Sequence, residues 1–97
     1  MAAESKTEKA VCKYAEEKGY LVRKLQWADR RGAPDRFFAH RLASNPFMIE
    51  FKAPGEPLRP DQAREIPKLW DVGLTVYIID SEREGRAVID AHLIDIA

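Results

Sequence analysis

The sequence lacks the features that stabilise secreted proteins and those that anchor proteins in membranes. It contains one cysteine, Cys12, so a single chain cannot form an internal disulfide or a cysteine zinc site. Its longest apolar stretches, such as Val76–Ile79, are far shorter than the ~20 residues that cross a bilayer, and its N-terminus is too charged for a signal peptide. We therefore expect no membrane contact and a reducing compartment, which is the cytoplasm, or the host cytoplasm if a virus encodes the chain.

An excess of charge of either sign is also missing, because 16 basic residues balance 16 acidic ones. The charges are nevertheless unevenly placed: residues 20–70 carry ten basic and six acidic side chains, whereas residues 71–97 carry two and six. A basic segment can follow a phosphate backbone, although a solvated charged surface gives the same pattern. The candidate DNA contacts in this segment are Arg23, Lys24, Arg30, Arg31 and Arg36.

No internal repeat, low-complexity tract or long linker divides the 97 residues, so we expect one domain over residues 1–97. A domain of this size buries only about 60–65% of its unfolded surface, and a homo-oligomer would add to its stability.

Local signals predict an α/β domain with a small mixed sheet flanked by helices, in the order α-β-β-β-α-β. A helix over 5–18 is indicated by the N-cap Ser5, by Glu8 three residues later and by Gly19 at its end. Strands are predicted over 20–27, 35–40, 47–53 and 74–80, with the second and third joined as a hairpin.

The second helix is predicted over 60–72, with Pro60 at its first position. Pro67 removes a backbone hydrogen bond inside this helix, so we expect a kink or an early break there. The sequence leaves residues 81–97 open between a short helix and strands.

The third strand carries the residues with the clearest chemical meaning. Successive side chains of a strand point to opposite faces, so Glu50 and Lys52 share one face while Ile49 and Phe51 share the other. Alone, this pair also fits an ordinary ion pair at a sheet edge. The hairpin, however, would bring Asp35 close to Glu50. Two carboxylates suit Mg²⁺ or Mn²⁺, and a lysine beside them would complete a phosphodiester-cleaving site.

Two further residues have two interpretations each. Glu8 lies on the inward face of the first helix, where it is either the capping-box acid or a third carboxylate of the site. Gln62, at the third position of the second helix, either caps the first turn or points its amide into the site.

Four motifs follow one another along the chain: Glu8 on the first helix, GAPD at 32–35, IEFKAP at 49–54 and LRPDQ at 58–62. In this order and spacing they resemble the virus-type replication-repair nuclease (VRR-NUC) family of the PD-(D/E)XK nucleases. The resemblance implies a restriction-endonuclease-like sheet core flanked by helices and Mg²⁺-dependent hydrolysis of DNA, with Mn²⁺ as a substitute. For short members it implies a homodimer that acts on branched DNA such as four-way junctions.

The resemblance also implies roles for individual residues. Asp35 and Glu50 would bind the metal, with the backbone carbonyl of Phe51 as a further ligand and Glu8 as a ligand directly or through water. Because Asp35 and Glu50 hold the metal, they also belong to the catalytic set.

In the same comparison Lys52 would orient or help deprotonate the attacking water, and Gln62 would hold Lys52 or the water in place. The chain departs from the family at Arg59, where members often have the better N-cap serine. This arginine weakens the cap and adds a candidate phosphate contact.

Together with these residues, the resemblance implies a structure-selective DNA endonuclease that cuts branched DNA and leaves 5′-phosphate ends. Two alternatives remain at this point. One is a nuclease that acts on flap or ordinary duplex DNA within a larger complex, and the other is a non-catalytic DNA-binding module on a nuclease fold.

Overall fold

The computed structural model describes residues 5–94 and places a four-stranded sheet between helices. In chain order the elements are α1 (Lys6–Glu17), β1 (Leu21–Lys24), β2 (Arg36–Ala39), β3 (Phe47–Phe51), α2 (Pro60–Asp71), β4 (Val76–Ile79) and α3 (Glu82–Ile94). The predicted α/β fold is therefore confirmed. The segment that the sequence left open forms α3, and residues 95–97 lie outside the described part of the chain.

The sheet is mixed, with the strands in the order β1-β2-β3-β4. β2 pairs antiparallel with both β1 and β3, whereas β3 and β4 are parallel and α2 connects them. The predicted hairpin is present as β2 and β3, with Arg36 opposite Ile49. One further step in this register brings Asp35 level with Glu50.

The side chains of β3 contribute to two separate cores. Phe47, Ile49 and Phe51 face α1 and α3, where the larger cluster includes Val11 and Ile89. The opposite face packs against α2 in a smaller cluster formed by Met48, Ile66, Leu69 and Val76. Because strand side chains alternate, Glu50 and Lys52 face the side that α2 covers.

The helix ends follow the sequence signals, with one exception. The Ser5 hydroxyl oxygen accepts the backbone N–H of Glu8 at 3.0 Å, and Gly19 just beyond α1 adopts φ +92°. Pro67, in contrast, does not break α2, which continues to Asp71. Pro67 is exposed, so the carbonyl that it leaves without a partner can be hydrated, and Ile66 beside it is buried against the sheet.

The strands are shorter than predicted. β1 ends at Lys24, because the chain leaves the sheet after one more hydrogen bond, from the Leu25 N–H to the Asp35 carbonyl. The predicted buried strand β4 lies at a sheet edge, and Ile78 is 41% exposed there. Within residues 5–94, no helix is long and apolar enough to span a bilayer.

Candidate active site

A cleft of about 630 Å³ lies where the N-terminus of α1 meets the ends of β1 and β3. Its walls include Glu8, Lys24, Asp35, Glu50, Phe51, Lys52 and Arg59. Residues from four separate sequence motifs therefore line one cavity. Asp35, Glu50 and Lys52 meet here, as the hairpin geometry predicted.

Asp35 is held at the end of β3 by the backbone. Its Oδ2 accepts the N–H of Phe51 at 2.8 Å, one residue past Glu50. The backbone N–H of Lys52 in turn donates to the Ile79 carbonyl at 2.9 Å, so the chain stays extended beyond the last residue of β3. These bonds fix Asp35 and Lys52 on the two sides of Glu50.

Glu50 is the most deeply buried acid of the cleft, at 2% exposure. Its Oε2 accepts a hydrogen bond from Gln62 Nε2 at 2.5 Å and lies 3.3 Å from Lys52 Nζ. Burial, together with the nearby charge of Asp35, raises the pKa of Glu50 from 4.5 to about 7, and the Lys52 charge opposes this shift. The ionised carboxylate is therefore disfavoured while no further positive charge is present.

The other oxygen of Glu50 indicates where a cation would bind. Oε1 is buried, and no donor within residues 5–94 reaches it. A buried carboxylate oxygen without a partner, next to a second carboxylate on Asp35, fits a hard divalent cation that prefers oxygen ligands. The donor set therefore fits the metal that the sequence predicted.

The predicted set of three acids is not assembled. In the part of the chain that the structure describes, no group of three or more His, Cys, Asp or Glu side chains could hold a metal ion. Glu8 does point inward, at 7% exposure, but its Oε2 accepts a hydrogen bond from Arg36 Nε at 2.7 Å. The structure thus gives Glu8 an ion pair with Arg36, and its role as a metal ligand, directly or through water, stays a prediction.

Arg36 also differs from the prediction, which placed it among the DNA contacts. Its side chain is only 14% exposed and pairs with Glu8. The reason is the alternation of β2, since Arg36 lies two residues before Phe38, which belongs to the core beneath α1. The same alternation, applied to the sequence, would have turned Arg36 inward.

The Gln62 amide makes both of the contacts that the sequence offered as alternatives. Its Oε1 accepts the backbone N–H of Arg59 at 3.0 Å and so caps α2, while its Nε2 donates to Glu50. Gln62 thus contacts the carboxylate that Lys52 also contacts, and the expectation that it holds Lys52 or the attacking water stays a prediction. The amide can serve both partners because it carries an acceptor and a donor.

A second, smaller cleft of about 210 Å³ adjoins the first and shares Leu25, Gln26 and Arg59 with it. Arg30 and Arg31 line this second cleft. The sequence did not predict a cleft at this place. Arg23 lines neither cleft, and its guanidinium donates to the Val22 carbonyl at 2.8 Å.

Asp61 lies among the arginines of the second cleft. Its Oδ1 is 3.3 Å from Arg59 Nε, and its Oδ2 is 3.8 Å from Arg31 Nε. Burial favours a higher pKa for Asp61, but the hydrogen bond from Arg59 and the charges of Arg59 and Arg31 lower it. Arg59 and Arg31 therefore already lie near one anion, the Asp61 carboxylate. A phosphate bound in the second cleft could contact the same two guanidinium groups.

The whole fold matches a solved structure described as a VRR_NUC domain. The two superpose with a TM-score of 0.72 at 30% sequence identity, over 89% of this chain and 97% of that one. The chain belongs to the VRR_NUC family. No family model matches the sequence.

A second relative of this VRR_NUC chain is a phage protein. "Putative nuclease p44" of Acyrthosiphon pisum secondary endosymbiont phage 1 is 39% identical over 64 residues, which are 66% of this chain and 68% of p44. Both comparisons agree with the resemblance that the four motifs carried. The protein is a nuclease of the VRR_NUC type, and such folds generally use a divalent metal.

Proposed function

We propose that this VRR_NUC protein is a Mg²⁺-dependent endonuclease that hydrolyses phosphodiester bonds of branched DNA and leaves 5′-phosphate ends. The observation that carries the proposal is the meeting of Asp35, Glu50 and Lys52 in one cleft, with a buried oxygen of Glu50 that no protein donor reaches. Mn²⁺, which has similar ligand preferences, should substitute for Mg²⁺.

Asp35 and Glu50 would hold the metal, with the backbone carbonyl of Phe51 as a further ligand. A bound divalent cation stabilises the charge that develops on the phosphate and lowers the pKa of coordinated water. The protein fixes the two carboxylates that would hold this cation, because the Phe51 N–H orients Asp35 and Gln62 orients Glu50. Positioning is the main requirement of phosphoryl chemistry.

Lys52 is the residue of this chain that faces the attacking water and the scissile phosphate. Its side chain is 6% exposed and its Nζ lies 3.3 Å from Glu50 Oε2. In this position the ammonium offsets the charge of the phosphate and orients the attacking water. Gln62 acts through Glu50, because its amide fixes the carboxylate that Lys52 also contacts.

The path for DNA follows the two connected clefts. Lys24 and Arg59 line the first cleft, and Arg30, Arg31 and Arg59 line the second. These cations lie on one continuous surface beside Glu50, which supports a phosphate backbone bound along it. Arg36 lines neither cleft and contributes indirectly in this proposal, through its ion pair with Glu8, which does line the first cleft.

The proposed action on branched DNA is linked to a proposed homodimer. One chain holds one such cleft, and cutting two strands of a symmetric junction requires two sites related by symmetry. The large apolar side chains left exposed around the end of α2 and along β4 are available for a partner chain: Trp70, Val72, Leu74 and Ile78. Light scattering at micromolar concentration tests this, and full junction cleavage by a monomer would contradict it.

Cleavage of an end-labelled four-way junction tests the function. We expect cutting with Mg²⁺ but not with Ca²⁺ or EDTA, and products that DNA ligase rejoins without prior phosphorylation. Asp35→Ala and Lys52→Ala should abolish cutting, while binding in Ca²⁺ survives. Linear and flapped DNA of matched sequence are the controls, because equal rates on all three substrates would contradict selectivity for junctions. Binding without cutting on every substrate would contradict catalysis.

A further inference from the structure

The loop over residues 25–34, between β1 and β2, is attached to α2 by a partly buried hydrogen bond. The indole Nε1–H of Trp27 donates to Glu65 Oε2 at 2.7 Å, and Glu65 is only 9% exposed. A hydrogen bond to an ionised carboxylate is among the stronger ones in proteins. The contact joins residues 38 positions apart and so holds the loop to the helix.

Gly32 provides a second point of attachment. It adopts φ +100°, and a Cβ placed there would lie 2.8 Å from the Asp61 carbonyl oxygen and 2.9 Å from Glu65 Cβ. The loop backbone therefore lies directly against α2, with no room for a side chain.

Between these two points the loop carries Arg30 and Arg31 into solvent. Their side chains are 56% and 84% exposed. Arg30 Nε is 3.9 Å from Glu65 Oε1, so the carboxylate that binds Trp27 also faces this guanidinium. Both arginines line the second cleft, beside Arg59 and next to the candidate active site.

One face of α2 contacts both the candidate active site and the loop over residues 25–34. Glu65 lies three residues after Gln62, so the two side chains project from the same side of the helix. Gln62 contacts Glu50 and Glu65 contacts Trp27. Because the loop is ordered before DNA binds, phosphate binding by its arginines costs less conformational entropy.

We propose that Glu65 is a positioning residue, which holds the loop to α2 through Trp27 so that Arg30 and Arg31 bind the phosphates next to the scissile bond. This inference rests on the proposed function. Changes at Glu65 should therefore affect DNA affinity more than they affect the rate of the chemical step.

Two measurements test the inference on four variants. Glu65→Leu removes the acceptor, Trp27→Phe removes the donor together with part of the aromatic ring, and Glu65→Gln retains an acceptor oxygen. Glu82→Gln is the matched control, because Glu82 on α3 pairs with Arg86 and lines neither cleft.

The rate of native-state trypsin cleavage after Arg30 and Arg31 reports on the loop without DNA. Binding of a labelled four-way junction in Ca²⁺, with KM and kcat in Mg²⁺, reports on the arginines.

We expect Glu65→Leu and Trp27→Phe to be cut by trypsin about tenfold faster at the loop. Their Kd and KM for DNA should rise about tenfold, with a fall in kcat of less than about threefold. Glu65→Gln should stay within about threefold of the parent in every measurement, as should Glu82→Gln.

Unchanged trypsin cleavage in both Glu65→Leu and Trp27→Phe would overturn the attachment of the loop, whatever the protein does to DNA. Faster cleavage with unchanged Kd would overturn the role in DNA binding. A fall in kcat without a rise in KM would overturn it too. If the parent itself bound no DNA, the proposed function would fail, a result distinct from the others because it needs no variant.

Discussion

Gln62 and Glu50 are joined by a buried hydrogen bond of 2.5 Å from Nε2 to Oε2, while Gln62 Oε1 caps the backbone N–H of Arg59. One side chain thus begins α2 and orients the most buried carboxylate of the cleft. The stability of the helix start and the geometry of the site are therefore coupled through Gln62.

Replacing Gln62 should affect stability and activity together. Gln62→Ala removes two hydrogen bonds and leaves Glu50 Oε2 with one partner fewer, so we expect a loss of about 2–4 kcal/mol in the free energy of unfolding. Cleavage should fall at least tenfold, because Glu50 loses its fixed orientation. Urea unfolding and single-turnover cleavage measure the two effects.

Ser81→Ala is the control for this prediction. Ser81 Oγ accepts the Glu84 N–H at 3.2 Å at the start of α3 and lines neither cleft. Its loss should cost about 1 kcal/mol and leave cleavage unchanged. If Gln62→Ala also retained full cleavage, the coupling between cap and site would be refuted.

The pKa of Glu50 predicts how the metal-free protein responds to pH. Because folding raises this pKa from 4.5 to about 7, the associated stability is fully present below pH 4.5 and is lost as the pH rises through 7. Glu50→Gln stays neutral, so between pH 5 and pH 8 the parent should lose about 1–3 kcal/mol more stability than this variant does. Urea unfolding in EDTA at pH 5 and pH 8 checks this, and equal pH dependence of the two proteins would contradict it.

Metal should reverse this destabilisation in the parent. The proposed cation between Asp35 and Glu50 would bind the folded state only, so Mg²⁺ at 100 times its Kd should add about 2.7 kcal/mol at pH 8. Glu50→Gln and Asp35→Asn should gain much less, because each lacks one of the two carboxylates. Thermal unfolding with and without Mg²⁺ measures the gain, with KCl at equal ionic strength as control. An equal gain in both variants would place the metal elsewhere.

The sequence was most informative where local periodicity decides the outcome. Alternation along β3 placed Glu50 and Lys52 on one face, and the hairpin then brought Asp35 to them, as the register shows. The inward direction of Glu8 followed from helical spacing in the same way.

Contacts between distant elements were not predictable from such patterns. The Trp27–Glu65 bond depends on where α2 lies over the sheet, which no local signal specifies. The predicted extent of α2, 60–72, agrees with the observed Pro60–Asp71, but the early break expected at Pro67 is absent. The penalty for Pro67 was considered without the burial of Ile66 and Leu69 on the same helix. Arg36 was assigned by charge alone, although its position two residues before Phe38 in β2 directs it to the core beneath α1.

The Glu8–Arg36 pair should be a strong structural contact. Both side chains are at most 14% exposed, so Arg36→Leu leaves a buried carboxylate unpaired and should cost about 3–5 kcal/mol. Replacing both residues by Leu should cost less than this single change. The exposed pair Glu82–Arg86 is the control, where Arg86→Ala should cost less than about 1 kcal/mol. A double variant less stable than Arg36→Leu would argue that Glu8 has a further partner, such as the metal.

Salt dependence of DNA binding tests whether the phosphate backbone follows the clefts. Arg59 lines both clefts with its side chain 56% exposed, so Arg59→Ala should lower the slope of log Kd against log salt by about 0.9 for each lost phosphate contact. Arg83→Ala on α3, outside both clefts, is the control and should leave the slope unchanged. Binding of a four-way junction in Ca²⁺ between 50 and 200 mM salt, a range of about fourfold, measures the slope. If Arg59→Ala kept the parent slope while Arg83→Ala lowered it, DNA would bind along α3 and not along the clefts.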